Sequence, residues 1–239
     1  MLIANSLIKG FCISNFIGQM IVLLQLLGAT FLIICALGKF KELFAAKFYT
    51  TRFIKEFASG RNVLDYYLQR RPNSVRGIVR LYKDGCERLM TIISPDVRSR
   101  LVGRQTAEQS EALTPREIEL VRGTCEHVLD EEEIKNEHGM GIISTIVTAA
   151  PMLGLLGTVW GVLDAFDEMG TAGSANLATI APSISAALVT TVVGLIVAIP
   201  GTMVYCALRS KINKINSDME GFADELIGRI ACEFQGKGA

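Results

Sequence analysis

The chain has 239 residues, half of them apolar, and 24 Lys+Arg set against 24 Asp+Glu, for a formal net charge of zero. That balance leaves no basic excess for a nucleic-acid partner, and none is expected. The charges are sharply partitioned, because they avoid three apolar windows, and this points to a membrane protein rather than a soluble enzyme.

The first window, residues 17–37 (IGQMIVLLQLLGATFLIICAL), is just long enough to cross a hydrocarbon core of about 30 Å at about 1.5 Å per residue. A cleaved signal peptide would have an apolar region of only about 7–15 residues with small residues after it. Lys39, Phe40 and Lys41 follow instead, so a retained anchor is expected. Only Lys9 precedes the window, whereas Lys39, Lys41, Lys47, Arg52, Lys55 and Arg61 follow it, which places the following side in the cytoplasm. Phe40, Leu43, Phe44, Phe48, Ile54 and Phe57 recur at mostly helical spacings, predicting that the first helix continues beyond the window to a stop at Ser59 and Gly60.

Shorter helices are predicted over residues 63–69 and 75–93, punctuated by Pro72 and Pro95, and another over 96–109. Thr114-Pro115-Arg116-Glu117 reads as a helix start: Thr114 caps, Pro115 needs no N–H partner, and Glu117 reaches back in a capping box. No strong breaker appears before Gly139-Met140-Gly141, so a continuous helix from Pro115 to Phe166, about 78 Å long, is expected. The acidic run at residues 130–133 would then be a solvated face, since consecutive side chains point around a helix.

Residues 140–163 and 177–208 contain no Asp, Glu, Lys, Arg or His, yet are dense in Gly, Pro, Ser and Thr. They are the second and third windows, and the connection between them (DEMGTAGSAN, residues 167–176) carries two acids and no Lys or Arg. Arg209, Lys211 and Lys214 follow the third window, so the N-terminus is expected outside and the C-terminus inside. Ile212, Ile215, Met219, Phe222 and Leu226 continue at 3-4-3-4 spacing, a coiled-coil-like stripe facing partner helices. The expected organisation is a periplasmic segment 1–16, spans 17–37, 140–166 and 177–208, a cytoplasmic helical domain 38–139, a periplasmic loop 167–176 and a cytoplasmic helix 209–239. The fold class is an all-α membrane protein with three transmembrane helices, N-out and C-in, whose long helices extend into the cytoplasmic domain.

Six scattered cysteines without a CxxC pair argue against a metal or disulfide framework. His127 and His138 stand eleven residues apart, three turns on one helix, and are expected as solvated surface residues. No nucleophile–base pair or phosphate loop appears, so neither enzymatic activity nor a cofactor or metal is expected.

Small and hydroxylic residues in a span indicate close helix contact or a polar path. Pro151, Gly154, Gly157, Thr158 and Gly161 mark the second span, with Gly157-x-x-x-Gly161 a small-xxx-small step. In the third, Thr179, Ser183, Ala186 and Thr190 form a narrow stripe at spacings of four, three and four, with Ala187 and Thr191 beside it. A hydroxyl in a helix commonly bonds its own i−4 carbonyl; a stripe sustained in two spans equally fits a helix interface or a water-lined path. Threonine relays hydrogen bonds but stores no charge, and Asp164 sits at the outer rim, so the protonatable group of any ion path is expected from another polypeptide.

The stretches APMLGLLGTVWGVLDAF (residues 150–166) and LATIAPSISAALVTTVVGLIVAIPGTMVY (residues 177–205) resemble the MotA/TolQ/ExbB proton-channel family, most closely its TolQ/ExbB branch. The resemblance implies a multi-pass protein of the bacterial inner membrane. It also implies a homo-oligomeric ring, pentameric in the family, around the single membrane helices of an ExbD- or TolR-like partner that carries a membrane aspartate. Thr158 and Thr191 fall on the family's threonines and would line the proton path. Proton flow would then drive work on a TonB- or TolA-like periplasm-spanning protein. In one respect the chain departs: where the branch has a glutamate in a PGIAEAL-like run, Ala186 stands in PSISAAL. A non-conducting helical scaffold and a flagellar-stator relative, which would have four spans, are the alternatives.

Overall fold

The computed structural model describes residues 15–58, 63–70, 76–93, 113–172 and 177–234. Its regular elements are helices: α1 (Phe16–Ala58), α2 (Asp65–Arg70), α3 (Gly77–Ile92), α4 (Pro115–Glu137), α5 (Met140–Ala172) and α6 (Leu177–Phe234). The expected stop at residues 59–60, Pro72, Pro95 and the helix over 96–109 lie outside the described residues. The protein is all-α, and three helical stretches are long and apolar enough to cross a membrane. Their apolar windows are only 22%, 28% and 33% buried within the chain, so most of that surface must meet lipid or other apolar helices.

By its contacts the chain forms two compact units, one of Met1–Phe40 with Gly139–Arg209, the other of Lys41–His138 with Ser210–Ala239. In the first, the helices pack through small residues. Ala150, Ala165, Ala186, Ala187 and Ala198 are buried, whereas Leu27, Ile34, Leu155, Phe166, Leu188 and Ile199 point outward. Pro151 lies within α5, and Pro182 and Pro200 within α6, without ending either helix.

The second unit is built on an aromatic core. Tyr82 is fully buried; its hydroxyl donates to the Val63 carbonyl and accepts from the Tyr67 N–H at 3.1 Å. Phe53 meets Tyr66 edge-on at 5.1 Å between ring centroids, and Phe57 meets Phe222 at 5.0 Å, both favourable aromatic geometries. The stripe from Ile212 to Leu226 is thus consumed within the chain, with each of its five residues buried. α3 packs against α4, and the capping box forms as expected: Thr114 Oγ1 accepts from Glu117 N–H and Glu117 Oε2 accepts from Thr114 N–H at 2.8 Å. Burial pushes the Cys86 thiol well up and that of Cys125 up to about 11.

Two expectations are corrected. The continuous helix from Pro115 to Phe166 is interrupted, because α4 ends at Glu137 and α5 starts at Met140. Gly139 between them has φ +83°, a conformation open chiefly to glycine. The acidic run is not wholly solvated either: Glu132 is only 4% exposed. Its carboxylate accepts from the Gly77 N–H at 2.7 Å, Arg80 at 3.3 Å and Lys135 at 3.0 Å. Gly77, at φ +65°, opens α3 two residues later than expected, and Glu132 caps that start. His127 and His138 are exposed.

Candidate functional site

The glycines of α5 let α6 approach to backbone contact. A Cβ at Gly154 would stand 2.9 Å from Thr191 Cα, one at Gly161 would stand 2.5 Å from Ala187 Cβ, and one at Gly157 would overlap the Thr190 side chain. The approach is reciprocal, since a Cβ at Gly194 of α6 would lie 2.6 Å from the Ala150 carbonyl oxygen. The small-xxx-small step is therefore a helix–helix contact, made because nothing larger fits.

That contact brings the hydroxyls together. Thr191 Oγ1 lies 3.0 Å from the Gly154 carbonyl oxygen and 3.4 Å from Thr158 Oγ1, across the two helices. Thr158 Oγ1 donates to the Leu155 carbonyl at 2.7 Å. Thr190 is buried, with its hydroxyl 2.7 Å from the Ala187 carbonyl and 3.2 Å from that of Gly154. A hydroxyl has one proton and two lone pairs, so each threonine that donates to a carbonyl still accepts. Thr158 and Thr191 are half-buried. Local i−3 bonds and bonds between helices coexist, so the hydroxyls do more than satisfy their own helix.

The other residues of the stripe divide by depth. Ala186 and Ala187 are buried and Ser183 is half-buried, donating from Oγ to Glu168 Oε2 at 2.9 Å. The side chain of Thr179 lies outside the described residues.

One residue was not recognised from sequence, and one takes on more than its sequence reading gave it. Gln25, in the first apolar window, is 1% exposed and donates from Nε2 to the Ala150 carbonyl at 3.2 Å, tying α1 to α5. Its Oε1 is buried with no partner among the described residues. The signal was an amide amid Leu residues. Asp164, assigned to the outer rim, is half-buried; its Oδ2 accepts from Asn15 Nδ2, and it lines a crevice shared with Ala186.

The sequence pattern defining the MotA/TolQ/ExbB proton channel family matches residues 96–221. The chain is 39% identical over 89 residues to the Tol-Pal system protein TolQ of Haemophilus influenzae, covering 37% of this chain and 39% of that one. It is 36% identical over 97 residues to TolQ of Pseudomonas aeruginosa, covering 41% and 42%. With the biopolymer transport protein ExbB of Xanthomonas campestris pv. campestris it shares 32% identity over 108 residues, covering 45% and 43%. The chain thus spans well under half the length of these curated relatives.

Proposed function

The chain belongs to the MotA/TolQ/ExbB proton channel family, whose pattern matches more than half of it, and on that footing we propose that it is an inner-membrane subunit of a motor driven by the proton-motive force. Spans at 17–37, 140–166 and 177–208 run N-out and C-in, with residues 38–139 and 209–239 cytoplasmic and 167–176 periplasmic. Subunits form a ring, a pentamer in this reading, around the membrane helices of an ExbD- or TolR-like protein that contributes an aspartate. Proton flow then moves those helices and delivers work to a TonB- or TolA-like protein.

The observation that carries this is the pairing of Thr158 and Thr191, with Thr191 Oγ1 3.4 Å from Thr158 Oγ1 and 3.0 Å from the Gly154 carbonyl. Polar groups in hydrocarbon are costly unless bonded, and this pair keeps lone pairs available to an incoming donor. The electrical gradient supplies about 2.3 kcal/mol per charge per 100 mV, enough to bias a step more than tenfold. With Ala186 in place of an acid, coupling through a glutamate at that position is excluded. A non-conducting scaffold draws support from the same hydroxyls, since each already has a carbonyl acceptor within the chain.

The readings separate by experiment. Thr158→Val and Thr191→Val are isosteric and keep the packing, so the complex should assemble while proton uptake into liposomes and energy-dependent function are lost. Wild-type uptake in both variants would eliminate the conducting role.

A further inference from the structure

The geometry points to Asp164 as a proton-loading carboxylate supplied by this subunit itself, exchanging protons with water in the crevice where the same ends of α1, α5 and α6 meet. This rests on the motor reading and goes beyond it, since there the carboxylate belongs only to the partner.

Three observations support it. First, Asp164 is half-buried between helices: its Oδ2 accepts from Asn15 Nδ2, at the head of α1. Second, the crevice it lines is water-sized, about 10 Å³, room for one molecule. A buried water needs two to four polar partners, and Asp164, Asn15 and Ser183 all line this space. Its remaining walls are Gly18 from α1, Gly157, Trp160 and Gly161 from α5, and Ala186 and Ala187 from α6, all small except the indole of Trp160. Third, among the described residues no Lys, Arg or His lines the crevice. Among the described residues, the charged groups nearby are acids on its own helix, Asp167 and Glu168, the latter bonded to Ser183 of α6; α1 contributes the neutral Asn15.

Position also fits. Asp164 is six residues beyond Thr158 on the same helix, about 9 Å along its axis. Gly157, which lines the crevice, adjoins Thr158 in sequence and Thr190 in space. The transfer balances without any redox partner. A hydronium from outer water gives its proton to Asp164, one O–H bond breaking as another forms, and a water is left. The carboxylic acid returns that proton to the crevice water, which passes it towards the partner's carboxylate.

The test uses the complete complex with its co-encoded partner in liposomes, with proton uptake driven by an imposed potential and read across pH. Asp164→Asn should lower uptake at least about tenfold, equivalent to roughly 1.4 kcal/mol on the barrier, with an unchanged melting temperature and loss of one titration from the pH profile. Asp164→Glu should keep most of the uptake, with its pH profile displaced from wild type. Wild-type uptake and pH profile in Asp164→Asn would overturn the assignment. So would an Asp164→Glu complex as impaired as Asp164→Asn, or one whose profile coincides with wild type; these readouts stand even where Asp164→Asn fails to assemble. Should Thr158→Val and Thr191→Val abolish uptake while Asp164→Asn does not, only the Asp164 assignment falls. If all three conduct normally, the motor reading falls with it.

Discussion

Gly194→Ala probes the tightness of the contact between α5 and α6. The added methyl would sit 2.6 Å from the Ala150 carbonyl oxygen and 2.9 Å from Gln25 Nε2. A relaxed carbon–oxygen contact is about 3.3–3.6 Å, so the helices must part by roughly 0.7 Å or more, and one of the atoms in the way is backbone. Overpacking of this kind costs about 1–3 kcal/mol. Displacing Gln25 from the Ala150 carbonyl adds about 1 kcal/mol. The better helix propensity of alanine returns about 1 kcal/mol, so the net destabilisation is about 1–3 kcal/mol. Gly123→Ala in α4 is the control, because nothing lies within 4 Å of its added methyl, and propensity alone should stabilise it by up to about 1 kcal/mol. Denaturant or thermal unfolding of the purified protein in detergent measures both. Equal stability in the two variants would refute the close approach and the hydroxyl geometry that depends on it.

Other consequences follow from the second unit. Glu132→Ala strips a nearly buried carboxylate from Arg80, Lys135 and the Gly77 N–H, but both cations keep Glu131, so the loss should cost about 1–3 kcal/mol by denaturant unfolding; Glu133→Ala, on an exposed neighbour, should cost little. The Arg80 guanidinium, hydrogen-bonded to Glu131 at 2.7 Å, holds that carboxyl below its ordinary value. Its stabilising contribution is therefore fully present above the unfolded value, about pH 4.3, and is lost as pH falls through the lower folded one. Melting temperature followed through that range should fall less steeply in Glu131→Gln than in wild type.

The helices were legible where local chemistry decides. Three uncharged windows marked the three helices long and apolar enough to cross a membrane, and Thr114-Pro115-Arg116-Glu117 marked the start of α4 to the residue. The place of the break was legible, since Gly139 heads the first breaker after Pro115, but its effect was not, because a glycine inside a helical pattern is tolerated unless φ turns positive, as it does at Gly139. Glu132 was misread for a related reason. Its neighbours in sequence do point around the helix, but its burial depends on α3, 52 residues away at Arg80 and 55 at Gly77. At the candidate site, the glycine and threonine positions could be read from spacing. Which threonine faces which carbonyl could not, because that depends on the separation between α5 and α6. Gln25 was passed over since one polar residue in an apolar run has no period to announce it, and Asp164 was placed only at the rim because its crevice is completed by residues of other helices.

The hydroxyl cluster has a property that neither helix has alone. Thr190 and Thr191 both reach the Gly154 carbonyl, at 3.2 and 3.0 Å, and each has a second acceptor, Ala187 O at 2.7 Å for Thr190 and Thr158 Oγ1 at 3.4 Å for Thr191. The Gly154 oxygen has two lone pairs, and one serves the helical N–H. Thr158 Oγ1 also reaches it, at 3.4 Å, but has the shorter bond to Leu155, so Thr190 and Thr191 compete for the other lone pair, one at a time. When Thr191 holds Gly154, Thr190 donates to Ala187; when Thr190 holds it, the Thr191 proton turns to Thr158. Exchange between the two patterns needs only rotation about hydroxyl bonds, with no backbone movement. A proton on Thr191 can thus be directed towards or away from Thr158 by its neighbour, in an apolar stretch without a titratable group, which is the behaviour the proposed relay requires.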